Sequence, residues 1–156
     1  MTPAIRLLER EGVAYEVLRY RHGDDDGGWG MAAAQALGVD PDTVYKTLLV
    51  ELDNGRHVVA LVPVPARLDA KALATAAGAR RATMARPEKA EQLTGYVVGG
   101  ISPLGQKRRL QTWIDRSAAE LELIRVSGGR RGLQLLLPRV DLVRLLNARM
   151  APISRR

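Results

Sequence analysis

Three stretches of this 156-residue chain gather chemistry-bearing residues in a pattern that raises a functional question. The first is GGISPLG, residues 99–105, followed almost at once by Lys107, Arg108 and Arg109. Gly99 and Gly100 permit unusual backbone angles and close approach, so their N–H groups can converge on one anionic point. Ser102 adds a hydroxyl, and Pro103 stiffens the loop so that ordering it costs less. The second is SGGRRG, residues 127–132, a glycine turn that carries Arg130 and Arg131. The third is Lys46 within VYKTLLV, a cation among residues that alternate towards a core. At the mouth of a sheet-lined cleft such a lysine holds a phosphate or polarises a carbonyl. On an open strand face it points to solvent. Each glycine loop, taken alone, also fits a plain hairpin turn.

Other residue types narrow the chemistry. His22 and His57 are the only histidines, and neither sits in an HExxH or HxH spacing. No GxSxG elbow is present, so a hydrolytic triad has no local signature. With no cysteine, disulfides, thiolate metal sites and a cysteine nucleophile are excluded. Asp24, Asp25 and Asp26 are hard-cation ligands by type, but consecutive side chains point in different directions, and a solvated loop is the expectation. No metal and no cofactor are expected. Trp29, set between glycines in HGDDDGGWG, either folds over a pocket or stacks on a base, or else packs on the sheet.

Charge adds a direction. The net charge is +7, and it is divided unevenly. Residues 1–75 carry 8 Lys/Arg against 11 Asp/Glu, whereas residues 76–156 carry 16 against 6. A cationic half attracts polyanions and speeds their encounter, which points to nucleic acid or an acidic ligand. The N-terminal MTPAIRLLEREG lacks the apolar run of a secretion signal, and no run approaches the ~18 apolar residues of a membrane span. The expectation is a cytoplasmic protein with no membrane partner.

The elements that must position these residues follow from periodicity and punctuation. Thr2 caps a first helix with Pro3 in its first turn, and Gly12 ends it. Residues Tyr15 to Tyr20 form a short strand, and an alanine-rich helix runs from Met31 to a stop at Gly38. VYKTLLVEL and HVVALVPV form a hairpin across DNGR, with Tyr45 and Thr47 on the face opposite Lys46. Asp69 caps a helix that ends at Gly78, and Pro87 opens another that ends at Gly95. YVVGG, RLQTWID, LELIRV and LQLLL are strands, and LVRLLNARM is a closing helix with Leu142, Leu145 and Leu146 inward. The fold class is α+β: a mixed, mainly antiparallel, partly closed sheet flanked by short helices, without Rossmann alternation. At this length it is one domain, residues 1–156.

Taken together, TPAIRLLE, VYKTLLV, LTGYVVGGISPLGQKRRL and VSGGRRG resemble the YbaK family of aminoacyl-tRNA deacylases, in its Cys-tRNA(Pro) deacylase branch. The likeness spans nearly the whole chain and extends to the editing domain inserted in bacterial prolyl-tRNA synthetases. It implies trans-editing of tRNA(Pro) mischarged with cysteine, a task set by the poor size discrimination between cysteine and proline. The implied catalytic residues are Lys46, Gly99, Gly100 and Ser102. The implied substrate-binding residues are Tyr20, Trp29, Pro103, Ser127, Gly128 and Gly129. An acid that some relatives carry near the second glycine turn is Gln134 here.

In this branch the substrate's thiol attacks its own ester, so the nucleophile arrives already held intramolecularly. The basic half, through Lys107, Arg108, Arg109, Arg130 and Arg131, is assigned to the tRNA. Aminoacyl-tRNA and a prolyl-tRNA synthetase are the expected partners, and DNA is not. The rival readings are an Ala-tRNA(Pro)-type deacylase that activates water and a non-catalytic module that binds tRNA or a synthetase.

Overall fold

The computed structural model describes residues 1–21 and 28–156, with Trp29 described by its backbone alone. Helix α1 (Pro3–Glu11) forms where the cap signals place it: Thr2 Oγ1 accepts the Ile5 N–H at 3.3 Å, and Gly12 closes the last turn at φ 67°. Its buried face is Ala4, Ile5 and Leu8. Helix α2 (Gly28–Leu37) starts three residues before the expected Met31 and stops at Gly38, φ 66°.

The central sheet has five strands. Strands β2 (Tyr45–Leu52) and β3 (His57–Pro63) form the expected hairpin, with Lys46 opposite Val62. Strand β5 (Ala82–Met84) pairs antiparallel with the far end of β2. Strands β6 (Thr112–Asp115) and β9 (Arg149–Ala151) add in parallel on the other side, giving the order β5-β2-β3-β6-β9. A second, antiparallel sheet is ordered β1 (Glu16–Arg19), β8 (Leu133–Pro138), β7 (Leu123–Ser127). A two-stranded piece joins β4 (Arg67–Leu68) to β10 (Ser154–Arg155). The class is α+β, mainly antiparallel, and the sheets do not close into a barrel.

Both faces of the central sheet are buried, which is why β3 reads as an unbroken apolar run. Tyr45, Leu49, Val59 and Leu61 face a core shared with α1, the second sheet and α4 (Pro87–Thr94). Val50, Leu52, Val58, Ala60 and Val62 face the opposite core, with Leu73 of α3 (Ala70–Ala76), Trp113 and Ile153. The odd–even split along β2 therefore separates Tyr45 and Thr47 from Lys46, as the alternation requires.

Three expectations fail. YVVGG is not a strand: Gly95 turns the chain out of α4, and Val97 and Val98 are exposed. Their backbone finds side-chain partners instead, since Val98 N–H donates to Glu91 Oε2 at 2.8 Å and Arg131 donates twice to the Val98 carbonyl. Of RLQTWID only Thr112–Asp115 forms a strand. LVRLLNARM does not remain helical: α5 (Arg139–Leu146) ends at Asn147 in the left-handed region, φ 49°, and the next residues become β9. The open edge of β6 outcompetes another helical turn. Leu142 is fully buried, and Leu145 and Leu146 pack partly buried on the same core.

Candidate active site at a break in the central sheet

Strand β2 has a partner at both ends but not in the middle of its outer edge. A bridge from Val44 to Arg125 joins its start to β7, while β5 covers only residues 50–52. Between them opens a cleft of about 430 Å³. Five consecutive β2 residues, Tyr45 to Leu49, line it. Alternate side chains on a strand point to opposite faces, so a run of five is reached only by a cleft that meets the strand edge-on.

Lys46 is half-buried in this cleft, with its Nζ donating to the Val64 carbonyl at 3.3 Å. Burial, and secondarily the nearby Arg67 charge, pushes its pKa down from the ordinary lysine value. A poorly solvated ammonium gains more from a partner anion than a solvated one does. Tyr20 enters from the end of β1, held by its N–H to the Gly132 carbonyl at 3.0 Å, and burial raises its phenol pKa. Tyr45, also on the lining, is held by a 2.6 Å bond to Ser117 Oγ, which also donates to Asp115. The described titratable groups on the lining are Tyr20, Tyr45 and Lys46.

The two glycine loops meet at this site. Gly99 lines the cleft at φ 92°, a conformation that side-chain-bearing residues rarely adopt, and its N–H has no partner among the described residues. Gly100 lies one step behind, its N–H donated to the Val97 carbonyl at 2.9 Å. A Cβ on Gly100 would sit 2.7 Å from Arg130 Cα and from Arg131 N, so the first loop rests backbone-on-backbone on the second. Arg131 fastens the pair through its bonds of 2.9 and 2.7 Å to the Val98 carbonyl. From the second loop Ser127 reaches the cleft, while its Oγ accepts the Gly129 N–H at 3.2 Å.

The structure thus brings Tyr20, Lys46, Gly99 and Ser127 together and sets other expected residues elsewhere. Ser102 is fully buried off the lining, its Oγ accepting the Leu104 N–H at 3.2 Å. Pro103 borders a second cavity of about 180 Å³ with Arg10, Arg108 and Arg109. Gly128 and Gly129 support the turn: Thr2 Oγ1 donates to the Gly128 carbonyl at 2.6 Å, and a Cβ on Gly129 would meet Tyr96 at 2.8 Å. Lys107, Arg108, Arg109, Arg130 and Arg131 are exposed. The Trp29 side chain, His22 and the three aspartates lie outside the described residues.

Two lining residues with unpartnered polar atoms had no assigned role. Gln134 is 3% exposed, and its Oε1 is buried with no hydrogen-bond partner, as is Thr47 Oγ1. Such orphans are costly unless something fills the site. The signal for Gln134 was its place as the one polar residue in the apolar run LQLLL.

A sheet opened at one edge onto a half-buried lysine, a glycine turn and unpartnered polar atoms forms the candidate site of this α+β domain. The chain belongs to the aminoacyl-tRNA editing domain family, whose sequence model matches residues 31–145. It is 32% identical to an Enterococcus faecalis protein provisionally named Cys-tRNA(Pro)/Cys-tRNA(Cys) deacylase EbsC, over 98% of this chain and 93% of that one. It is 26% identical to the Escherichia coli multifunctional Ser/Thr-tRNA deacylase ProXp-y, over 97% and 90%. A crystal structure described as a provisional trans-editing enzyme for prolyl-tRNA synthetase superposes with a TM-score of 0.85 at 24% identity, covering 100% of this chain and 99% of that one. At that identity the superposition establishes the fold. No helix among the described residues is long and apolar enough to cross a membrane.

Proposed function

We propose that this chain, acting as a single editing domain over residues 1–156, removes cysteine from mischarged Cys-tRNA(Pro) in the cytoplasm. The observation that carries the reading is that Lys46 and Gly99, whose N–H has no partner among the described residues, line one cleft. Both are donors, and both suit an ester oxygen that becomes negative as the carbonyl is attacked. The substrate supplies the nucleophile. Its thiol sulfur bonds to the ester carbon, the bond from that carbon to the ribose oxygen breaks, and the thiol proton goes to that ribose oxygen, which leaves as a hydroxyl. The products are a cysteine thiolactone and free tRNA.

In this scheme Gly100, Ser102 and Pro103 position the loop rather than touch the ester. Tyr20 and Ser127 contact the aminoacyl group. Lys107, Arg108, Arg109, Arg130 and Arg131 carry the tRNA backbone, and a prolyl-tRNA synthetase is the partner that delivers mischarged tRNA. A second reading rests on Gln134, whose buried unpartnered Oε1 would accept the hydroxyl of a seryl group.

A deacylation time course on Cys-, Ser- and Ala-tRNA(Pro), with wild type beside Lys46→Met, tests these readings. Rapid loss of cysteine alone, with a thiolactone product and a rate lowered roughly a hundredfold or more in the variant, supports the proposal. Preferential loss of serine favours the second reading. Equal loss of all three, or of none, overturns both.

A further inference from the structure

The break in the central sheet leaves specific backbone groups unpaired, and their identity follows from parity. Val44 accepts from the Val64 N–H and Leu52 donates to the Arg56 carbonyl, so even-numbered residues of β2 bond towards β3. Leu49 accepts from the Ala85 N–H and Asp53 donates to the Arg81 carbonyl, so odd-numbered ones bond outward. Thr47 therefore directs both its C=O and its N–H into the cleft, beyond the reach of β5. The Leu49 carbonyl is taken by Ala85, but the Leu49 N–H has no partner among the described residues. An acceptor at Thr47 and a donor two residues on, at Leu49, face the same space. Unpaired backbone groups in a mostly apolar cleft carry a cost that a matching ligand removes.

We propose that this edge binds the Watson–Crick edge of the adenine that ends every tRNA, with N6–H donating to the Thr47 carbonyl and N1 accepting from the Leu49 N–H. The assignment rests on the deacylase reading for its substrate class, and it adds where the nucleoside sits. The gap is too short for peptide addition, because the Val44 bridge and the Ala85 bond leave room for one outward residue between them. A planar base needs only that much. Its plane continues the sheet, and its two faces meet the apolar side chains that flank a strand edge, here Leu48, Met84, Ala85 and Val98. The volume of about 430 Å³ lies in the range of nucleoside-sized sites and exceeds what a cysteinyl group alone would fill. Bases read on the Watson–Crick edge after leaving a stack are a general mode of recognition. This one would be indifferent to the attached amino acid.

The test titrates the ¹⁵N-labelled wild-type protein with adenosine 5′-monophosphate and, separately, inosine 5′-monophosphate. Inosine reverses both groups, setting O6 against the Thr47 carbonyl and N1–H against the Leu49 N–H. The expected result is movement of the Thr47 and Leu49 amide signals with the adenosine nucleotide and roughly tenfold or weaker binding of the inosine one. Equal affinity for both, or adenosine binding that leaves these two amides unmoved, overturns the proposal. In parallel, mischarged tRNA ending in adenosine is compared with tRNA ending in inosine. Equal KM for the two sustains the deacylase and sinks the adenine site. Adenosine-selective binding at Thr47 without deacylation sustains the adenine site and sinks the deacylase.

Discussion

Replacing Gly100 with alanine isolates what the contact between the two glycine loops contributes. The position has no positive φ, so an alanine there suffers no intrinsic backbone strain, and the whole effect is steric. The new Cβ would lie 2.7 Å from Arg130 Cα, 2.7 Å from Arg131 N and 2.8 Å from Arg130 C, against an ordinary contact distance of 3.4 Å or more. These are backbone atoms that cannot rotate away, so the turns must part by about 0.7 Å, the shortfall from 3.4 Å. Separation of that order in a packed interior costs roughly 1–3 kcal/mol. For a domain of this size each kcal/mol lowers Tm by about 2–4 °C.

On the proposed mechanism the same displacement moves Gly99, the adjacent residue, away from the ester. A 1 Å misplacement of a catalytic group can cost about a hundredfold, so a loss of roughly tenfold or more in the single-turnover rate is expected. The control is Gly78→Ala, where φ is 76° but nothing lies within 4 Å of the added Cβ. It should lose about 1–2 kcal/mol of stability through left-handed strain and keep the wild-type rate. Thermal unfolding and single-turnover deacylation of Cys-tRNA(Pro) read the two quantities separately. Wild-type rate and stability in Gly100→Ala would refute the backbone packing and the role given to Gly99.

Asp115 gives a pH-dependent expectation. Burial pushes its carboxyl pKa up, but hydrogen bonds from Ser117 and from the Ile153 N–H at 2.9 Å outweigh that and hold it below the ordinary 3.8. A depressed carboxylate stabilises the fold above its unfolded pKa and loses that contribution as pH falls through the folded one. Asp115→Asn should therefore cost roughly 1–3 kcal/mol at neutral pH, and the gap to wild type should shrink below about pH 3.8 in denaturant melts. A gap that is constant with pH would show that the charge contributes nothing. The triple change Lys107→Gln, Arg108→Gln, Arg109→Gln should weaken tRNA binding and lower the salt slope of log K by roughly 2–3 if all three neutralise phosphates. An unchanged slope would place the tRNA elsewhere on the surface.

Elements whose signals are local are legible in the residues alone. Thr2, Asp69 and Pro87 start helices and Gly12, Gly38, Gly78 and Gly95 end them, because capping and left-handed φ are decided within a few residues. The hairpin around DNGR, and the segregation of Tyr45 and Thr47 from Lys46, follow equally from a two-residue period. The motifs also marked Lys46, Gly99, Tyr20 and Ser127, which share one cleft.

Tertiary structure decided the rest, and it did so through long-range pairing. YVVGG and NARM carry the propensities of a strand and a helix end, yet their fates depended on partners 33 and 36 residues away. Val98 lost its place in a sheet to Arg131, and Arg149 gained one beside Trp113. Ser102 looked reactive because a hydroxyl beside glycines is chemically apt, but burial and the Leu104 N–H occupy it. Thr47 looked like an ordinary strand residue, and Gln134 stood only where some relatives carry an acid. Only the missing neighbour on the edge of β2 opens them, and the backbone between Tyr45 and Leu49, onto the cleft. A strand edge left open is a property of which strands fail to meet, and no single stretch of residues encodes it.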